Sequence, residues 1–352
     1  MSEHQPERVV VFGATGHLGA AVVARLENLP WSGFEVVGVV SEGSTETEFE
    51  YRGELLDAQT SAPALRKGDL VFVCTPGEVA RDLVRTALQA EAPCIDCTGV
   101  MAEQAEVAMP VFAADFLVCG DDGESGAPAH AKAPLLTQPG ATAIAWAPLL
   151  DSLLKTVGIR RVVATVLRSA SSQGRLGLVA LSEESIALFN QSDVSEMGPA
   201  GQAVAFDVIP NRLGESRTAD ELTRLFDSQF SVDVMSVQVP TFVGEGASLA
   251  IELSNPVEES EIRKLLEGIP GFSIVDEGAG TRGLAAVEEG RREPSGPTLR
   301  DAAGAEDVLV GGLRPDGSLA QGLGWRLWLT YDPLRLAAEQ AIRLARLRFP
   351  GS

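Results

Sequence analysis

The sequence predicts an α/β protein: a doubly wound parallel sheet first, then an α+β domain whose sheet is mixed or antiparallel. Three observations carry this expectation. The β-forming run Val9-Val10-Val11-Phe12 feeds Gly13-Ala14-Thr15-Gly16-His17-Leu18-Gly19 and then an amphipathic stretch with Val22, Val23 and Leu26. That order spells a buried strand, a tight turn and a helix. Strands and helices then alternate through the first hundred residues, as the crossovers of a parallel sheet require. Later strands are longer with few crossovers between them, which suits antiparallel pairing.

In the opening unit each glycine has its own physical task. Gly13 allows the sharp turn, Gly16 a close approach of backbone to phosphate, and Gly19 close packing of helix on strand. The open N–H groups of the helix N-terminus then face a ligand's negative charge. A dinucleotide is the expected ligand, and Gly13, Thr15, Gly16, His17, Leu18 and Gly19 are its candidate contacts. Further candidates are Ser41 and Glu42 beyond the second strand (residues 35–40) and Thr75 beyond the strand at 70–74. Residues 41–50 read as an acidic, solvated loop rather than a metal grip. A helix runs to about Ala90, and a strand covers 93–97.

Residues 120–140, rich in Gly, Asp and Pro, form a polar loop and a domain boundary. Domains are expected at 1–137 and 138–332, with a terminal helix in 333–352. Residues 141–156 form a helix whose apolar side suits a subunit interface. A strand at 161–167 and a helix at 176–190 follow. Strands at 232–243 and 247–253 flank the turn Gly244-Glu245-Gly246. A helix at 258–267 precedes a surface insertion at 277–297 and strands at 308–310 and 325–330. Pro333 opens the last helix, where proline is well tolerated.

Composition sets the limits. A chain of 352 residues buries a sizeable core. Asp and Glu outnumber Lys and Arg by 49 to 28, a net charge of −21. Such a surface repels nucleic acid and anionic lipid, so neither is an expected partner. No apolar run approaches a membrane span, and the N-terminus lacks the pattern of a signal peptide. A cytoplasmic location is expected. The cysteines, Cys74, Cys94, Cys97 and Cys119, include the C-x-x-C spacing Cys94-Ile95-Asp96-Cys97. In a strand, residues three apart face opposite sides, and no second pair or histidine completes a zinc site. These read as buried thiols in a reducing compartment, and no metal is expected. Ser169, Ser171 and Ser172 lack a neighbouring histidine and read as turn hydrogen-bonders. His130 reads as an exposed loop residue.

The order of motifs resembles the aspartate-semialdehyde dehydrogenase family. Its marks are Gly13-Ala14-Thr15-Gly16, Ile95-Asp96, Gly158-Ile159-Arg160-Arg161-Val162-Val163, and Ser171-Ser172-Gln173-Gly174. Ala205-Phe206-Asp207-Val208-Ile209-Pro210, Val239-Pro240 and Asp301-Ala302-Ala303-Gly304 follow. The resemblance implies a Rossmann-type N-terminal domain, a dimerisation and substrate domain, and a C-terminal helix returning to the first domain. It implies a homodimer, with room for an unidentified protein partner. It also implies reductive dephosphorylation of an aspartyl phosphate through a cysteine thiolate, a histidine and NADPH.

Several matching positions depart from that pattern. The nucleophile's position falls on Gly140, give or take one residue, and no cysteine follows Cys119. The histidine's position is Glu245. The substrate arginine's position is Gln238, and the acyl-orienting glutamine's is Arg168. The phosphate-holding arginine is absent from residues 97–102, and an asparagine position falls on Pro333. Where a basic residue would meet the NADP phosphate stands Ser41-Glu42-Gly43, which favours NAD over NADP. The resemblance is therefore closest to a non-catalytic paralogue group, with an oxidoreductase of altered chemistry as the alternative. Arg168 and Glu245, opposite charges on facing positions of the vacated pocket, either pair there or point separately to solvent.

Overall fold

A computed structural model describes residues 5–350 apart from 76, 105, 114–115, 119–129, 194–197, 200, 211 and 276–295. Cys119, His4 and most of the expected insertion at 277–297 lie outside the described residues. The chain divides into two compact units, residues 1–144 with 334–352, and residues 145–333.

The first unit runs β1 (Arg8–Phe12), α1 (His17–Leu26), β2 (Glu35–Val39), β3 (Glu48–Tyr51), β4 (Glu54–Asp57), β5 (Asp69–Val73), α2 (Glu78–Gln89), β6 (Cys94–Asp96), β7 (Val111–Ala113), β8 (Phe116–Val118) and β9 (Leu135–Thr137). Its main sheet has the order β2-β1-β5-β6-β9, and every pairing in it is parallel. Val9, Val11, Phe72 and Ile95 belong to one apolar layer, and Val10, Phe12, Val71 and Val73 to the other. A sheet covered on both faces explains why these strands read as unbroken apolar runs.

Helix α3 (Ala141–Thr156) leads out of this unit. The division falls inside it, at Ile144, rather than ahead of it at residue 138. Its approach stays with the first sheet because the Gln138 amide donates to the Asp96 carbonyl at 3.1 Å and its Nε2 to the Cys97 carbonyl at 2.9 Å. The side chains of Trp146, Leu149 and Leu150 are fully buried within the chain. The apolar side of this helix is therefore already covered, which corrects its reading as an interface. The acidic loop at 41–50 is shorter than expected. Phe49 is buried and draws residues from Glu48 onward into the β3–β4 hairpin. Its two-residue turn has positive φ at both Arg52 and Gly53, the geometry that suits the twist of paired strands.

The second unit runs β10 (Ile159–Arg168), α4 (Gly174–Phe189), β11 (Ile209–Pro210), α5 (Arg212–Leu225), β12 (Ser231–Gln238), β13 (Glu245–Leu253), α6 (Glu259–Glu267), β14 (Phe272–Ile274), α7 (Leu299–Ala302), β15 (Val308–Pro315) and β16 (Gly324–Tyr331). Its mixed sheet has the order β11-β12-β10-β13-β16-β15-β14. β12 and β13, the strands expected to flank residues 244–246, do not pair with each other. β10 lies between them, parallel to β12 and antiparallel to β13. Glu245 accordingly opens β13, opposite Tyr331 of β16, instead of lying in a turn.

Helix α8 (Pro333–Arg348) returns to the first unit. Ala338, Ala341, Ile342 and Ala345 join the apolar layer of Val9 and Val11. Gln340 fixes the helix by donating to the Pro110 carbonyl at 2.8 Å and accepting from the Phe112 amide at 3.1 Å. Trp31 Nε1 donates to the Phe349 carbonyl at 3.0 Å. No helix among the described residues is long and apolar enough to cross a membrane.

Two predictions follow the packing. A Cβ at Gly19 would stand 2.0 Å from the Gly13 carbonyl oxygen, whereas one at Gly16 meets nothing nearer than 3.2 Å. Urea unfolding should show Gly19→Ala losing about 1–3 kcal/mol and Gly16→Ala losing less than about 1 kcal/mol. In the second unit the Asp316 carboxylate accepts from Ser318 and Arg326, which lowers its pKa to about 2. Because the folded value lies below the unfolded one, this stabilisation is complete above the ordinary carboxylate range and fades as pH falls toward 2. The melting temperatures of wild type and Asp316→Asn should therefore converge between pH 5 and pH 2, with the wild type higher at pH 7.

Candidate functional site

The candidate dinucleotide residues gather at the carboxyl ends of β1, β2 and β5, where open parallel sheets bind ligands. Gly13 has φ +82°, and its amide donates to the Val39 carbonyl at 2.7 Å. Gly16 precedes α1 and is exposed. No side chain caps α1, and no acid occupies its first turn. Its leading N–H groups suit an anion. His17 is half-buried at the first helical position. Leu18 packs its side chain on the core, so only its backbone faces a ligand. Thr15 Oγ1 lies 3.5 Å from Ser44 Oγ. Ser41 and Glu42 are exposed just beyond β2.

Across from the turn, a Cβ on Gly13 would lie 3.0 Å from Thr75 Cγ2 and 3.2 Å from the Cys74 carbonyl. The Thr75 hydroxyl is buried without a hydrogen-bond partner. A buried hydroxyl in that state is costly unless something fills it. An uncapped helix end, a glycine cradle and an orphaned hydroxyl together fit a dinucleotide pyrophosphate and its adjoining ribose. The rim is held by Asp96, fully buried. It accepts from the Thr98 amide and hydroxyl at 2.9 and 2.7 Å, the Met101 amide at 2.9 Å and the Thr137 hydroxyl at 2.8 Å. That network sets the path of residues 97–101, and no arginine stands in residues 97–102.

Gly140, just ahead of α3, accepts from the Ile144 amide at 3.0 Å. Neither it nor Ala141 carries a nucleophile. His130 differs from expectation: it is half-buried, and that burial lowers its pKa.

In the second unit, the buried face of the sheet ends in a polar cluster. Arg168 closes β10 beside Gln238, which closes the parallel β12. Glu245 opens the antiparallel neighbour β13, so the register itself brings the three positions to one end of the sheet. Arg168 Nη1 lies 3.8 Å from Glu245 Oε1. Its Nε donates to Ser236 Oγ at 3.0 Å and its Nη2 to Thr218 Oγ1 at 3.0 Å. Glu245 is 1% exposed, so the two charges pair rather than pointing separately to solvent. Gln238 is equally buried, and neither of its amide atoms finds a partner.

Thr218 and Ser236 were not expected. Thr218, Glu221, Leu222 and Phe226 are all buried, and that helical spacing was the available signal for α5. Ser236 continues the alternation of Val234 and Gln238 along β12. The serine loop behaves as expected: Ser169 Oγ and Ser171 Oγ are 2.9 Å apart, and Ser172 Oγ donates to the Ser169 carbonyl at 2.8 Å. Among the described residues no three His, Cys, Asp or Glu side chains gather as a metal site.

The geometry predicts strong coupling at the sheet end. Arg168→Met removes the cation from a buried carboxylate and should cost about 3 kcal/mol. Adding Glu245→Gln should restore most of that loss, a non-additivity that a double-mutant cycle in urea measures.

Comparisons with known proteins agree with this layout. Residues 8–116 match the family model described as semialdehyde dehydrogenase, NAD binding domain, and residues 147–336 its dimerisation domain. The aspartate-semialdehyde dehydrogenase of Rickettsia bellii is 25% identical, covering 96% of each chain. That of Legionella pneumophila is 24% identical, covering 99% of this chain and 96% of its own. Among solved structures, aspartate semialdehyde dehydrogenase II from Vibrio cholerae has a TM-score of 0.81 at 23% identity, covering 97% of this chain and 98% of its own. A probable aspartate-semialdehyde dehydrogenase from Pseudomonas aeruginosa also reaches 0.81, at 26% identity and the same coverage.

Proposed function

The chain belongs to the semialdehyde dehydrogenase family, and from that membership we propose that it is an NAD-binding homodimer that does not perform the family's thiolate-dependent acyl transfer. The observation that carries this reading is the pairing of half-buried Arg168 with buried Glu245. It places a neutralised ion pair where the resemblance puts the acyl-orienting glutamine and the catalytic histidine. An acid already engaged by a guanidinium is a poor substitute for an imidazole that must pass protons. The absence of cysteine after Cys119 supports the same conclusion, since a thioester needs a thiolate to form. Gln238, where the resemblance expects a substrate arginine, lacks the charge that holds a substrate carboxylate.

Support for dinucleotide binding is separate. The uncapped start of α1, the glycine turn and the Thr75 hydroxyl would hold the pyrophosphate and ribose. The group's chemistry, when bound, is reversible hydride transfer. Glu42 suits a ribose diol and opposes an additional phosphate, so NAD is the expected form. Dimerisation runs through the second unit, and a cytoplasmic location fits the acidic surface. The intact glycine turn favours a second reading, an NAD-dependent oxidoreductase that acts on an aldehyde without a covalent thioester.

Calorimetry separates these claims. NAD should bind, NADP should bind at least tenfold more weakly, and Gly16→Ala should lose NAD while keeping its melting temperature. With aspartate semialdehyde, phosphate and either dinucleotide, absorbance at the nicotinamide band should stay flat. Turnover there would overturn the non-catalytic reading. Turnover only with other aldehydes, and without phosphate, would establish the second. Binding of neither dinucleotide would reduce the protein to a scaffold.

A further inference from the structure

The C-x-x-C spacing draws the eye to Cys94 and Cys97, yet these two face opposite layers. Cys94 packs with Val71 and Val73, and Cys97 with Phe72 and Ile95. The neighbour of Cys97 is Cys74. β5 and β6 run parallel with Val73 beside Asp96, so the next residues, Cys74 and Cys97, stand side by side just past the strand ends. The Cys97 amide donates to the Val73 carbonyl at 3.0 Å, which holds the register to that point. Both cysteines pack on the same apolar layer, and the Cys97 thiol donates to the Ile95 carbonyl at 3.8 Å.

We infer that Cys74 and Cys97 are a peroxide-responsive modification site that closes to a reversible disulfide beside the dinucleotide turn. Adjacent strands lie about 4.8 Å apart, inside the Cα separations of about 4.4–6.8 Å that a disulfide spans. Closure therefore needs little backbone movement. The two thiols differ in access: Cys74 is partly exposed and Cys97 is buried. Burial, and the neighbouring Cys74, hold the Cys97 thiol well above its usual pKa, so Cys97 is the resolving partner. The Cys74 thiolate attacks one oxygen of hydrogen peroxide and the O–O bond breaks. The leaving hydroxide takes a proton and departs as water, and Cys74 becomes a sulfenic acid. The Cys97 thiol then gives up its proton as its sulfur attacks Cys74. The S–O bond breaks and the departing hydroxide takes that proton. Two thiols and one peroxide yield one disulfide and two waters.

The placement gives the reaction a target. The Cys74 carbonyl packs against Gly13, and Thr75 follows immediately. In a reducing compartment disulfides are transient and sensory rather than structural, and this pair has the access and proximity for that role.

The test uses the full-length reduced protein and needs no dinucleotide, so its failure is distinct from failure of the NAD reading. After treatment with stoichiometric hydrogen peroxide, intact mass should fall by two hydrogens. Non-reducing peptide mapping should place the bond between Cys74 and Cys97, and dithiothreitol should reverse it. The mapped bond should be retained in Cys94→Ser, whereas Cys97→Ser, which cannot form it, should form no other disulfide and should accumulate oxidised Cys74. Should Cys97→Ser fail to fold, mapping of the wild type decides alone. A bond through Cys94 or Cys119, or oxidation of Cys74 with Cys97 still a free thiol in the wild type, overturns the proposal.

Discussion

A carboxylate buried at the start of a central strand must be matched by a cation, and the Arg168–Glu245 pair meets that demand. Leaving either charge alone in a desolvated site costs far more than the pair returns. The remaining polar structure at this end of the second sheet follows from the same demand. Arg168 is steered by Ser236 on the neighbouring strand and Thr218 on α5, so one strand, one helix and one guanidinium are fixed together. An ion pair of this kind stabilises a position.

The two units carry different chemistry. The first carries an anion cradle: Gly13 turned at positive φ, Gly19 pressed on its carbonyl, an uncapped α1 and an orphaned Thr75 hydroxyl. In the second, charges are satisfied locally while Gln238 remains without partners. The proposed function rests on this contrast between the two units. The Cys74–Cys97 pair adds a means by which oxidation could reach the same turn.

Much of this was legible in the residues. β1, the glycine turn and α1 are local structure, set by β-formers, glycine geometry and helical periodicity. Pro333 likewise marked the start of α8, and the family resemblance implied its return to the first unit. What failed was non-local. Gly244-Glu245-Gly246 has the composition of a hairpin turn, but β10 intervenes between β12 and β13, and strand order is decided by packing across the sheet. α5 was missed because Gly214 and a largely polar sequence obscure the spacing of Thr218, Leu222 and Phe226. The β3–β4 hairpin was hidden by acidic residues on its exposed positions, with Phe49 as its only strong apolar anchor. Among the site residues, the opposite charges at 168 and 245 were visible in the sequence. Their pairing, and the roles of Ser236 and Thr218, required the sheet register.

The proposed function requires that no covalent acyl intermediate form on this chain. The most direct measurement is intact mass spectrometry of the full-length protein after incubation with aspartate semialdehyde and either NAD or NADP, with phosphate omitted so that any acyl-enzyme accumulates. The protein mass should be unchanged. An increase equal to one acyl group, removed by hydroxylamine and mapping to a cysteine, would contradict it.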